Sequence, residues 1–144
     1  MAINIHKILS DTLLELNKTK KLQAITVQNI LNESGVSRQA FYNRFKDKYD
    51  LIQWTYVHNV LCDFLASDPY NSYYLNTLNF YRAINKHRSF LKQACQLEGQ
   101  NCLKDFIYNF AINYDMEWHK QLLGGTPLSV SYTHLRAHET CADL

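Results

Sequence analysis

Apolar residues recur every three or four positions along most of the chain, which is the spacing of one face of a helix. The segments with this pattern lie at about residues 3–17, 27–34, 47–67, 73–87, 89–97 and 100–123. Gly occurs four times and Pro twice, which suits helices with few tight turns better than a strand-rich sandwich. The pattern therefore predicts an all-α fold.

The same spacing predicts which side chains are buried. In the helix that begins near residue 47 they are Leu51, Trp54, Val57, Leu61, Phe64 and Leu65. In the later helices the predicted core includes Leu78, Tyr81, Phe90, Leu91, Phe106, Phe110 and Trp118. Aromatic residues of these helices could also line an effector pocket, although such residues are far more often core. The pocket candidates are Tyr73, Tyr74, Phe80, Tyr81, Phe106, Tyr108, Phe110, Tyr114 and Trp118.

A short break separates the helix at residues 27–34 from the next one. Thr26 can cap the first of these helices. Gly35 can adopt the left-handed conformation that ends it, Val36 is apolar, and Ser37 can cap the helix that follows. Two helices joined by such a turn form a helix-turn-helix.

The helix after Ser37 has two different faces. At about 100° per residue, Phe41, Arg44 and Phe45 fall on one side, which can pack. The opposite side presents side chains that form hydrogen bonds, namely Arg38, Gln39, Tyr42 and Asn43. Arg44 lies on the packing side, and we interpret it as a surface salt-bridge or snorkelling residue.

The charge of the chain is unevenly distributed. Residues 1–48 contain eight Lys/Arg and four Asp/Glu, a net charge of +4, whereas residues 49–144 have a net charge of −2. A positive N-terminal end is expected if that end meets a polyanion. No apolar run approaches the roughly 18 residues of a membrane span, so no membrane partner is expected. The N-terminus does not have the pattern of a signal peptide, which predicts a cytoplasmic location.

The sequence contains no arrangement typical of a catalytic, metal or cofactor site. Its four cysteines show no C-x-x-C spacing, and we expect free thiols. His58 and Cys62 are four residues apart on a predicted helix, a spacing that could hold a metal or activate a thiol. The sequence has no third metal ligand at a spacing typical of a metal site, and it has no motif of a catalytic nucleophile. We therefore predict that the protein is not an enzyme and requires no cofactor or metal.

The sequence ITVQNILNESGVSRQAFYNRFKDKYDLI resembles the DNA-binding region of TetR/AcrR-type transcriptional regulators. The resemblance covers residues 3–52, and Leu31 and Ser34 stand where the family often has small residues. The matching residues are Thr26, Ile30, Gly35, Val36, Ser37, Phe41, Tyr42, Phe45, Lys48 and Leu51. The later sequence NKHRSFLKQACQLEGQNCLKDFIYNF is similar to the branch that includes the dihydroxyacetone-kinase regulators.

The resemblance implies a helix-turn-helix DNA-binding domain in residues 1–48 and a helical regulatory and dimerisation domain in residues 49–127. The third helix would lie in the major groove of DNA. Gln39 and Asn43 are expected to read bases, because a planar amide can bond adenine through two groups. Arg38 is expected to pair with guanine or to bind a phosphate. Expected contacts to the DNA backbone come from Thr26, Ser37, Tyr42, Lys46 and Lys48.

Three of these residues also have a purely structural interpretation. Thr26 and Ser37 can serve as helix caps alone, although we expect each to cap a helix and contact a phosphate. Tyr42 could be a half-buried core aromatic.

The partners implied by the resemblance are an operator in double-stranded DNA and, in the full-length protein, a second copy of the chain. Such regulators are more often repressors than activators. A small-molecule effector or a protein co-regulator is also expected, with its identity open. The alternative hypothesis is a coactivator-like regulator that acts through a protein partner. Salt-sensitive binding of duplex DNA by the protein alone is expected for the DNA-binding regulator and distinguishes it from this alternative.

The helical pattern ends at GGTP, residues 124–127. Residues 128–144 show only a brief alternation at Leu128, Val130 and Tyr132, which suits a disordered tail with a short strand. The string SVSYTHLRAHET instead resembles translated sequencing-adapter sequence at the ends of reading frames from assembled metagenomes. On this second hypothesis, residues from about 129 onward are foreign, and the native C-terminal helices that form most of the family's dimer interface are missing.

Overall fold

The computed structural model describes residues 4–62, 64, 73–99 and 102–122. All regular structure in these ranges is helical, which confirms the prediction of an all-α fold. The helices are α1 (Ile5–Thr19), α2 (Val27–Ser34), α3 (Arg38–Tyr42), α4 (Lys48–Tyr56), α5 (Tyr73–Lys86), α6 (Arg88–Gln96) and α7 (Leu103–Leu122). None of the helices in this part of the chain is long and apolar enough to cross a membrane.

Two short irregular helical turns complete the described fold. A 3-10 turn at Leu22–Ala24 lies between α1 and α2, and a π-helical turn at Val57–Leu61 continues α4. Residue contacts group Met1–Leu103 into one unit and Lys104–Leu144 into a second. The expected domain boundary after residue 48 remains a prediction, and the hypotheses about residues 128–144 fall outside the described residues.

The core of the first unit is formed by apolar side chains from α1 to α4, from α6 and from the segments next to them. Predicted core residues that are buried include Leu51, Trp54, Leu61, Phe90 and Leu91. Leu78, Phe64, Phe106 and Phe110 are only partly buried, and the side chains of Leu65 and Trp118 lie outside the described set. Of the eleven predicted core positions whose side chains are described, five are thus buried, five are partly buried and one, Tyr81, is exposed.

Val57 was expected in the core but is only partly buried, and Val60 is buried in its place. The π-helical turn begins at Val57 and places more residues in one turn than an α-helix does. Val57 follows Leu51 by six residues, which at about 100° per residue places it about 120° around the helix from that buried side chain, at the edge of the buried face.

Tyr81 was also expected in the core, but 63% of its surface is exposed. The ring of its neighbour Phe80 packs against Phe64, with a centroid distance of 5.3 Å. Consecutive residues of a helix lie about 100° apart. Because Phe80 is directed toward Phe64, Tyr81 is directed away from that contact.

The helix that follows Ser37 is shorter than its pattern predicts. It ends at Tyr42, so Arg44 and Phe45 lie beyond it, in the turn before α4. The backbone N–H groups of Arg44 and Phe45 both donate to the Phe41 carbonyl oxygen, each at 2.9 Å. The Asp47 side chain then caps α4 by accepting from the Asp50 N–H at 2.9 Å. The chain has to turn within these few residues, which ends α3 early.

Candidate nucleic-acid interface

Helix α2 begins and ends at the residues that the sequence predicts. The Thr26 hydroxyl accepts from the Asn29 backbone N–H, and the Asn29 side-chain oxygen accepts from the Thr26 N–H, each at 3.1 Å. This reciprocal pair satisfies two N–H groups that the first turn of a helix leaves free. At the other end Gly35 has a φ of 69°, and its N–H donates to the Leu31 carbonyl at 3.0 Å. The predicted cap and left-handed stop are confirmed.

The turn between α2 and α3 consists of residues 35–37. The Ser37 hydroxyl oxygen accepts from the Ala40 N–H at 3.1 Å, which confirms Ser37 as the cap of α3. The Val36 N–H donates to the Ser34 hydroxyl at 3.2 Å. These local bonds fix the direction in which α3 leaves the turn.

A cluster of aromatic rings holds α3 and the residues after it against α1 and α4. Phe41 and Phe45 are buried, and their ring centroids are 5.7 Å apart. The Phe45 ring meets His6 of α1 edge-on at 5.2 Å and Trp54 of α4 at 6.3 Å. His6 also stacks on Trp54 at 5.6 Å. Burial of a phenylalanine contributes about 1.5–3 kcal/mol, so this cluster fixes which side of α3 faces outward.

The outward side carries the expected base-reading groups. Gln39 and Asn43 are both exposed. Tyr42 is 49% exposed, and its ring lies edge-on against Phe41 at 5.2 Å. One side of the Tyr42 ring therefore packs against the core, and about half of the residue is exposed to solvent.

Arg38 is exposed but already bonded to α2. Its guanidinium donates from Nη2 to Gln28 Oε1 at 2.9 Å, and Gln28 Nε2 donates to Asn32 Oδ1 at 2.7 Å. Gln28 was not singled out from the sequence, because its partner lies ten residues away across the turn. Both partners are exposed, so the guanidinium can exchange this amide for another acceptor at modest cost.

Arg44 bonds its own segment instead of an acidic partner. Its Nη1 donates to the Ala40 carbonyl at 2.9 Å. Carbonyl groups at the end of a helix lack intrahelical partners, and an arginine there satisfies one of them. The side chain is half-buried, in agreement with its predicted place on the packing side.

The two lysines expected at the DNA backbone differ in their surroundings. Lys46 is exposed. The Lys48 ammonium donates to three backbone carbonyl oxygens between α1 and α2, and burial lowers its pKa. The three oxygens belong to Leu22 (3.1 Å), Gln23 (3.3 Å) and Ile25 (2.7 Å). Lys48 thus has a structural role that the sequence did not reveal.

A groove of about 530 Å³ lies between α1 and the junction of α5 with α6. Asp11 and Glu15 line it from α1, and Lys86 and His87 line it from the junction. Burial and the neighbouring charge of Lys86 lower the pKa of His87. Among the effector-pocket candidates whose side chains are described, none lines this groove.

The His58 and Cys62 pair does not form a thiol site. Cys62 is disulfide-bonded, so the expectation of free thiols is wrong for it, while Cys95 and Cys102 are not part of a disulfide. The His58 ring instead stacks on Trp54, with centroids 4.6 Å apart. Among the described residues, no group of three or more His, Cys, Asp or Glu is placed to hold a metal ion.

Comparison of the chain with protein-family models gave no match, and comparison with curated proteins gave none either. A functional assignment therefore depends on the geometry and chemistry of this chain's own residues.

Proposed function

We propose that the protein is a sequence-specific DNA-binding transcriptional regulator of the TetR/AcrR type, acting as a repressor. Helices α2 and α3 with the turn at residues 35–37 are its helix-turn-helix. The observation that carries the proposal is the two-sided character of α3 and the turn after it, with Phe41 and Phe45 buried on one side and exposed amide and hydroxyl groups on the other. An exposed row of such groups suits the donor and acceptor pattern of the major groove.

The roles of the residues follow from their chemistry. Gln39 and Asn43 carry amides that can bond an adenine through two groups. The exposed hydroxyls of Thr26, Ser37 and Tyr42 suit phosphate contacts, which set register. Arg38 and Lys46 add positive charge near them. Because α3 has only five residues, one copy of the chain reads few base pairs.

A second copy of the chain would supply the second half-site, as in other dimeric readers of the major groove. Three exposed apolar residues on α7 are spaced four apart and support an apolar contact surface there. They are Tyr108, Ile112 and Met116. The proposal also includes a cytoplasmic location. It does not specify the identity of the effector or protein co-regulator. Sedimentation of the full chain with and without DNA measures the number of copies.

The proposal is tested by selecting duplexes from a random library with the purified full chain and measuring their affinity by fluorescence anisotropy. We expect enrichment of one sequence and an affinity that falls steeply with salt, with a slope in log K against log salt of about −2 per copy for two phosphate-bound cations. An affinity that depends on neither the duplex sequence nor the salt concentration would contradict the proposal. Absence of duplex binding would favour the coactivator-like alternative.

A further inference from the structure

Gln93 on α6 bonds the segment that joins α1 to α2. Its Oε1 accepts from the Leu22 backbone N–H at 2.8 Å and from Asn17 Nδ2 at 3.2 Å. Helix α6 is itself fixed by the buried side chains of Phe90 and Ala94. The carboxamide is therefore presented to the α1–α2 segment by a packed helix, about 70 residues away in sequence.

The backbone of Leu22 is bonded from two directions. Its N–H donates to Gln93 of α6, and its carbonyl oxygen accepts from the Lys48 ammonium of α4 at 3.1 Å. The Leu22 side chain is fully buried. Helices α4 and α6 thus hold the same 3-10 turn, and each supplies one polar group to it.

This turn leads directly into the cap of α2. The Lys48 ammonium also bonds the Ile25 carbonyl at 2.7 Å, and Thr26 is the next residue. Lys20, just before the turn, donates from Nζ to Asn29 Oδ1 at 2.9 Å, and this oxygen is also the one that accepts from the Thr26 N–H. A shift of the turn would therefore move both groups of the capping pair.

We infer that Gln93 is a positioning residue for DNA binding. Its carboxamide oxygen fixes the 3-10 turn and, through the turn, the start of α2 and the Thr26 hydroxyl. The inference rests on the proposed function. It goes beyond that function because it assigns a role in DNA recognition to a side chain on a helix outside the reading segment.

Substitution of Gln93 can separate the acceptor role from packing. Glu has an oxygen that can accept from both N–H donors, whereas Leu has a similar size and no acceptor. Gln93→Leu leaves the Leu22 N–H without its partner, and the fraction of molecules with a correctly placed turn falls. Gln96 lies on the same helix and is exposed, so Gln96→Leu is the matched control.

The experiment compares the wild-type chain, Q93L, Q93E and Q96L at a temperature at which circular dichroism shows each to be folded. Affinity is measured for the duplex that the wild type selects, and amide hydrogen exchange is measured at Leu22 and at Leu13 of α1. For Q93L we expect about a five- to fifty-fold loss of affinity, together with faster exchange at Leu22 but not at Leu13. Q93E and Q96L should stay within about twofold of the wild type.

Equal affinity of Q93L and wild type would overturn the inference, and so would an equal loss in Q93E or Q96L. If Q93L does not fold, Gln93→Ala is measured in its place with the same expected result. If the wild type selects no duplex, the proposed function fails. Unchanged exchange at Leu22 in Q93L would instead show that Gln93 does not hold the turn, whatever the protein binds.

Discussion

The Lys48 ammonium has three donors and three carbonyl oxygens within reach, so all of its hydrogen-bonding capacity can be used inside the protein. Burial lowers its pKa, while the carbonyl dipoles favour its charged form. Its expected contact to phosphate remains a prediction. The structure adds a second role, which is to hold the turn that precedes α2.

Substitution of Lys48 should therefore affect stability as well as DNA binding. Lys48→Met removes the ammonium donor that three carbonyl groups share, and we expect a loss of about 1–3 kcal/mol in the free energy of unfolding. Lys46→Met removes the same charge from an exposed position and should cost less than about 0.5 kcal/mol. Urea unfolding of both variants measures the difference. Equal stability of the two would show that the carbonyl contacts contribute little.

Gln39 is the residue from which we expect the most sequence preference. Gln39→Ala should cost about 1–3 kcal/mol in binding and relax the preference at one base pair, because it removes an amide that can bond a base twice. Gln96→Ala, at an exposed position on α6, is the control for the loss of a surface amide. Repeated duplex selection with each variant provides the measurement. An unchanged preferred sequence for Gln39→Ala would rule out its role as a reader.

Single residues were predictable from the sequence where their partners are close along the chain. The caps at Thr26 and Ser37 are bonded to residues three positions away. The partners of Gln93 and Lys48 lie more than twenty residues away, so only the folded chain brings them together. Periodicity describes one helix at a time and contains no information on such contacts.

At the scale of whole elements, α2 was predictable because its start and stop are both encoded locally. Helix α3 was predicted too long, since its pattern of phenylalanines continues past Tyr42 into a turn. Phe45 is nevertheless buried, because the turn returns its ring to the same aromatic cluster as Phe41. The π-helical turn after α4 could not be predicted from apolar spacing, which assumes the α-helical period throughout.

The turn between α2 and α3 depends on the backbone conformation of Gly35. A Cβ atom there would have no neighbour within 4 Å, so the cost of a side chain comes from the positive φ of 69° alone. Gly35→Ala should lower the free energy of unfolding by about 1–2 kcal/mol. Gly35→Asn should lose less, because asparagine tolerates the left-handed region. Thermal unfolding compares them, and an alanine variant as stable as wild type would contradict this account of the turn.

At the scale of the whole molecule, the positive charge and the exposed polar face of α3 lie in the same part of the chain. Residues 1–48 have a net charge of +4, and the remaining residues are net negative. A polyanion should therefore approach the N-terminal helices rather than the later ones. The distribution of charge was available from the sequence, whereas the exposure of individual side chains required the folded structure.

The most direct test of the central claim is a titration of the isotopically labelled full chain with its selected duplex, followed by amide resonances in two-dimensional NMR. The account predicts that the largest shifts fall at residue 26 and residues 37–43, and that a duplex of unrelated sequence shifts them less. Shifts concentrated on α5 or α7, or no sequence-dependent shifts in α3, would contradict the claim that the exposed face of α3 binds DNA.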